Sequence, residues 1–348
     1  MFELWFDIVA VMLTAYVVLD GYDFGAGALH LIVARTGEER RLVLGAVGPF
    51  WDANEVWLLA AGGALFVAFP RVLAAGLSGF YLAIFLVIWT LILRGVAIEF
   101  RSHVPDGLWR AFWDTGFCGA SVVLPILFGA AIGNVIRGLP LTSDGWFQLT
   151  LFTNFRTGPE VGILDWYTVL TGVCALVALA GHGATFLAWR TTGAVHDRSR
   201  RVARTLVPLL TVLWPIVTWA TYVVNPELLR AMPGRPLAWV GVLLAGGGLV
   251  SVYLGLARGQ TLMAFLGSSA WIAGMLVATA ACLFPVMLRA VPDPALSITA
   301  YTAGGSAQGL RTATGWWVIG FPIVIGYFVM LFRLHRGKVI AAREGEGY

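Results

Sequence analysis

Asp20 and Asp23 lie three residues apart in the stretch LDGYDFGAGALH, inside an apolar run that begins near residue 4. Asp52 and Glu55, again three apart, open the next apolar run, GPFWDANEVWLLAAGGALFVAFP. Positions i and i+3 share a helix face, so the spacing predicts two acidic faces on consecutive helices. A carboxylate at the centre of a membrane-spanning helix costs roughly 2.5–3.5 kcal/mol even on the lenient insertion scale. Groups of this kind usually face a bundle interior and mark a proton, ion or substrate path. Arg94, in WTLILRGVAIEFR, supplies a counter-charge for one of these carboxylates or for an anionic group on a partner. Plainer readings stay open. Asp52 and Glu55 also suit the positive end of a helix dipole. Asp20 and Asp23, flanked by Gly21 and Gly25, also suit hydrogen bonds to a loosened backbone.

The elements that must position these groups are membrane helices. The chain is 59% hydrophobic and 12% charged, with 15 Trp and a mean hydropathy of +0.81. An ordinary soluble domain is about 25% charged. An all-α polytopic membrane protein follows, built as one integral domain over 1–348. Hydropathy marks nine spans at about 4–33, 52–70, 75–99, 112–136, 164–189, 204–224, 237–257, 262–288 and 313–334. The net charge of +4 comes from the loops and reports topology, so it gives no reason to expect nucleic acid. The first apolar run lacks a basic flank and is too long for a signal peptide, so it is expected to stay as a span.

Basic residues orient the bundle. Sixteen of the 23 fall in loops and a tail on one side, ending with Arg333, Arg336, Lys338 and Arg343. That bias predicts the N-terminus outside and the C-terminus cytoplasmic. Asp23 then lies about 16 Å from the inner end of its helix, and the acids form a ladder: Asp52, Glu55, Asp23, Asp20. HLIVARTG (30–37) and FLAWRTTG (186–193) end two spans alike. The pattern suggests repeat halves at 1–140 and 160–290, two four-helix units, with a peripheral ninth helix at 313–334. Gly25, Ala26 and Gly27, and Ala60 to Ala64, read as close helix-packing surfaces.

Redox chemistry finds few handles here. Haem needs an axial ligand such as His, Met or Cys. Of five histidines only His182, in LAGHGATF, lies well inside a span, and a hydrogen-bonded packing role suits it better. Cys118, Cys174 and Cys282 have no CxxC partner and read as small buried hydrophobes. The chain has no phosphate-binding glycine loop, no HExxH and no nucleophile elbow.

With GYDFGAG, GPFWDANEVWLLAAGGALFVAFP, LSGFYLAIFLVIWTLILRGVAIEFRS and WDTGF followed by PILFGAAIGNVIRGLP, the chain resembles subunit II of the cytochrome bd quinol oxidases over essentially its full length. GILDWYTVLTGV and GHGATFLAWRT extend the likeness more weakly. The resemblance implies a heterodimer with a haem-bearing subunit I in the bacterial cytoplasmic (inner) membrane, with a small single-span subunit in some members. It implies oxidation of a quinol at the outer face and reduction of O₂ to water with protons drawn from inside. It places the quinol site and the ligands of two b-type haems and one haem d in subunit I, leaving no metal ligand or catalytic residue in this chain.

Position by position, Asp52 matches a proton-route carboxylate, and Asp23 the second Asp of a DGxDxG motif. Arg94 matches an arginine near the haem propionates. Trp51 matches an aromatic near a structural quinone that some members bind, and Trp57 one on an oxygen route. Two positions depart from some members, which have Gln where this chain has Glu55 and His182. The expectation is a haem-free, proton-delivering subunit with Asp52 at the inner mouth and Glu55, Asp23 and Asp20 relaying toward the partner. Two competing readings predict different behaviour: a proton-coupled secondary transporter, and a stand-alone b-type cytochrome ligated by His182.

Overall fold

A computed structural model describes residues 1–158, 160–291 and 293–341; Arg343, counted above in the basic tail, lies outside them. The chain is a helical bundle. In order the helices are α1 (Phe2–Ala28), α2 (His30–Val33), α3 (Gly37–Val47), α4 (Trp51–Ala68), α5 (Pro70–Gly79), α6 (Tyr81–Phe100) and α7 (Gly107–Arg137). The second part comprises α8 (Trp166–Arg190), α9 (Gly193–Val224), α10 (Pro226–Ala231), α11 (Pro236–Arg258), α12 (Thr261–Leu283) and α13 (Ala307–Leu334). Eight of them are long and apolar enough to cross a membrane: α1, α6, α7, α8, α9, α11, α12 and α13. α4 is 18 residues long, and Asp52, Asn54 and Glu55 dilute its hydropathy.

Local chemistry sets the boundaries, and several differ from the hydropathy reading. The predicted span 75–99 is two helices, because Pro70 opens α5 and the chain breaks at Phe80 before α6 begins. The predicted span 262–288 is helical only to Leu283. Pro285 follows, and Val286–Leu288 (β1) pairs antiparallel with Ile298–Thr299 (β2), a small exception to the all-α expectation. α9 begins at Gly193 rather than 204, since HDRSRRVAR continues the helix below the apolar run as a basic extension. The first span, expected to run to 33, stops at Ala28 and resumes as the short α2 after Leu29. Thr36 and Glu39 form a capping box that starts α3, and Asp165 caps α8 with Thr168.

α1 runs through the middle of the bundle and packs on α4, α7, α8 and α12. Its approach to α8 is backbone on backbone: a Cβ on Gly25 would fall 1.9 Å from the Leu179 carbonyl, and one on Gly183 would fall 2.2 Å from Gly25. Only glycines permit that distance. α13 lies at the periphery against α4, where Trp57 packs between Phe321 and Phe328. Its last turn stacks Phe332 on Phe50 at the opening of α4. The following segment caps α8: Arg190 Nη1 donates to the Gly337 carbonyl at 2.6 Å, and Lys338 Nζ to the Trp189 carbonyl at 2.5 Å.

Candidate functional site

Three helices bring their charged residues to one buried point. Arg94 of α6 is fully buried. Its Nη1 donates to Asp20 Oδ1 of α1 at 2.8 Å, and its Nη2 to Glu55 Oε1 of α4 at 2.7 Å. The guanidinium carbon also sits 4.5 Å above the Phe24 ring, a favourable cation–π placement. Asp20 is inaccessible to solvent, whereas Glu55 retains 24% exposure. The bridge therefore runs from a half-open carboxylate to a closed one.

Asp23 lies one turn along α1 and is reached through a residue the charge pattern did not single out. Asn54 Nδ2 lies 2.8 Å from Asp23 Oδ2, 2.8 Å from the Tyr22 hydroxyl and 3.2 Å from the Leu19 carbonyl. As a neutral amide, Asn54 carries none of the energetic signal that flags a charge in an apolar run. Several polar atoms remain unpartnered in this buried space: Asp20 Oδ2, Asp23 Oδ1, Asn54 Oδ1 and Arg94 Nε. One guanidinium faces three carboxyl groups, so carboxyls are in surplus at this buried point.

The remaining sequence candidates fall around this centre. Asp52 is exposed at the opening of α4, one turn before Glu55, and stands apart from the Arg94 bridge. Trp51 lies over α6 beside Arg94, where a Cβ on Gly95 would fall 3.2 Å from its ring. Trp57 points the other way, into the α13 contact.

His182 occupies a closed polar knot. Its Nδ1 accepts from Ser268 Oγ at 2.7 Å and its Nε2 donates to the Val18 carbonyl at 2.9 Å, while the ring stacks on Phe265. Both ring nitrogens are engaged, so the ring offers iron no lone pair in this arrangement. His30 Nε2 is likewise taken up, by Asp114.

Two further ion-pair centres escaped the sequence reading. At the basic end of the bundle Asp114 of α7 gathers His30 Nε2 at 2.7 Å, Arg40 Nη1 at 2.9 Å and Arg101 Nε at 2.5 Å. At the opposite end Arg137 pairs with Asp165 and Asn134 and donates to the Gly162 carbonyl, tying the close of α7 to the start of α8. His30, Arg40 and Arg101 each sit at a helix end, where a charge is unremarkable. Asp114, inside WDTGF, was the one anomaly available.

The bundle and its interior define a class: an integral membrane protein whose polar core is a carboxylate–guanidinium cluster between three helices. Within that class the chain belongs to the cytochrome bd terminal oxidase subunit II family, whose pattern matches residues 1–335. It is 32% identical to the cytochrome bd-I ubiquinol oxidase subunit 2 of Escherichia coli (strain K12), over 97% of this chain and 94% of that protein. It is 29% identical to the cytochrome bd ubiquinol oxidase subunit 2 of Bacillus subtilis (strain 168), over 97% of this chain and 96% of that protein. The fold matches a chain of the bd oxidase from Geobacillus thermodenitrificans with a TM-score of 0.73 at 17% identity, covering 96% of this chain and 98% of that one.

Proposed function

We propose that this chain is the haem-free half of a quinol-oxidising, O₂-reducing terminal oxidase, and that it delivers protons from the cytoplasmic side toward the partner subunit. The observation that carries the reading is the Arg94 bridge between Glu55 and Asp20. It links a carboxylate open at the surface of the chain to one closed inside it. Asp52 is the entrance, Glu55 the first interior carboxyl, and Asp20 and Asp23 the deep end. Arg94 holds the negative charge of the route in place. Trp51, beside Arg94, is the candidate quinone-side aromatic, and Trp57, turned into the α13 contact, the candidate oxygen-side one.

The haems b and the haem d belong to subunit I on this reading; His30 and His182, the two buried histidines, are each hydrogen-bonded within the chain. A structural quinone and a small third subunit remain compatible additions. The chain lies in the bacterial cytoplasmic membrane with nine spans, α4 counted as the second, the N-terminus outside and the C-terminus inside. Its two four-helix units, repeat halves 1–140 and 160–290, have α1 and α8 as counterparts. The reciprocal contact of Gly25 and Gly183, and the Thr-Gly pairs at 36–37 and 192–193 that open α3 and α9, support that division.

Asp52→Asn tests the route. O₂ consumption by the purified complex should fall while the haem absorbance per complex stays that of the wild type. Turnover equal to wild type across pH removes Asp52 from the route.

A further inference from the structure

Between α11 and α12 an open groove of about 690 Å³ runs along the outside of the bundle. Leu244, Gly247 and Ser251 of α11 form one wall, and Met263, Leu266 and Ala270 of α12 the other. The floor is a seam where the two backbones touch: a Cβ on Gly248 would fall 2.6 Å from the Gly267 carbonyl. Gly247 is the opposite case, with no atom within 4 Å of where its Cβ would stand. The groove owes its depth to that missing side chain. Its volume falls in the range of about 300–1,000 Å³ typical of small-molecule sites.

The groove has one polar end. Leu244, Ser251 and Arg258 recur every seven residues and so share a face of α11. Arg258, in the last turn, therefore stands at the end of the wall, and Gln260 lines the groove beside it. Arg258 is exposed and makes no hydrogen bond or ion pair with any described residue. Nearby, Arg200 Nη2 and Arg204 Nη2 each donate to the Leu256 carbonyl, at 3.4 and 3.2 Å. Neither α11 nor α12 carries an acidic residue. The result is an apolar channel of membrane depth that ends in a cation left without a partner.

We propose that this groove binds an anionic phospholipid of the adjacent leaflet, with its acyl chains along the channel and its phosphate on Arg258, the Gln260 amide donating to the headgroup. Charge complementarity selects the occupant. A neutral lipid satisfies the apolar wall but leaves Arg258 unpaired, whereas a phosphodiester with net negative charge satisfies both. The inference stands apart from the proton-route reading, since it uses none of those residues.

Native mass spectrometry of the purified complex tests it, after delipidation in mild detergent and titration with dioleoylphosphatidylglycerol or dioleoylphosphatidylcholine. The wild type should retain phosphatidylglycerol in preference to phosphatidylcholine. Arg258→Gln should weaken phosphatidylglycerol binding about five-fold and leave phosphatidylcholine unchanged. Gly247→Phe, whose Cβ would have no atom within 4 Å, should fill the channel and abolish retention of both. Retention of phosphatidylglycerol indifferent to Arg258→Gln overturns the headgroup assignment. Retention indifferent to Gly247→Phe overturns the site. A quinone recovered from the groove in place of a phospholipid overturns the ligand class.

Discussion

Arg94 and Asp20 meet at 2.8 Å with both side chains fully removed from solvent, and the second guanidinium nitrogen reaches out to Glu55. Removing one partner of a buried ion pair strands the other charge, which costs about 3–5 kcal/mol, whereas replacing the whole set by neutral groups of similar size is far milder. The centre is therefore a unit that can be deleted together but not in part.

Arg94→Met alone should sharply lower the amount of assembled complex, read as haem absorbance per unit of membrane protein. Combining Arg94→Met with Asp20→Asn and Glu55→Gln should restore most of that assembly. The restored complex should still reduce O₂ slowly, because the route has lost two carboxyls. Equal loss of assembly in the single and triple variants would show that charge balance is not what the bridge supplies.

The α1–α8 contact gives a purely steric counterpart. Gly25→Ala places a methyl 1.9 Å from the Leu179 carbonyl, so the central helices must separate. Overpacking typically costs about 1–3 kcal/mol, and rigid backbone on the facing side pushes this case to the upper end. Gly62→Ala, with no atom within 4 Å, serves as the control and should be neutral. Detergent-solubilised material should lose its monodisperse size-exclusion peak on heating at lower temperature for Gly25→Ala only.

These contrasts show which features were legible in the chain. Asp20, Asp23, Glu55 and Arg94 stood out because a charge in an apolar run has an energetic cost that demands a partner. Their helices followed from hydropathy alone. Asn54 carries no charge, so nothing in the spacing marked it as the link to Asp23. The Asp114 centre draws its three basic partners from helix ends, and pairing across helices leaves no period in the sequence. Element boundaries failed for a different reason. Hydropathy averages over windows, so it passed through Pro285 and could not follow α9 into its basic extension.

Asp114 gives a graded prediction of its own. It is 1% exposed and holds Arg101, which is nearly as buried, while Arg40 keeps 29% exposure. Asp114→Asn leaves a buried guanidinium under-compensated and should cost about 3–5 kcal/mol. Arg40→Gln removes a partner that water can replace and should cost about 1 kcal/mol or less. Trypsin cleavage at Arg101, between α6 and α7, should accelerate strongly in the first variant and little in the second. The reverse order would place the weight of the centre on its exposed side.

Glu39 supplies the pH dependence at the same end of the bundle. Partial burial works against its ionisation. The Arg35 N–H at 2.6 Å, the Arg198 guanidinium and the Thr36 N–H together outweigh that and hold its carboxyl below the ordinary value. A depressed folded-state value means that the stabilisation is present above the ordinary carboxylate value of about 4.3 and is lost as pH falls through the lower, folded one. At neutral pH the capping box and the Arg198 pair should fasten α3 to α9. Glu39→Gln keeps an amide oxygen for the N–H donors but loses the ion pair. Amide hydrogen exchange over residues 37–47 should then be faster in the variant at pH 7. The difference between variant and wild type should shrink steadily as the pH is lowered below about 4, where protonation leaves the wild-type side chain neutral too. A difference that persists undiminished in acid would mean that Glu39 acts through packing rather than charge.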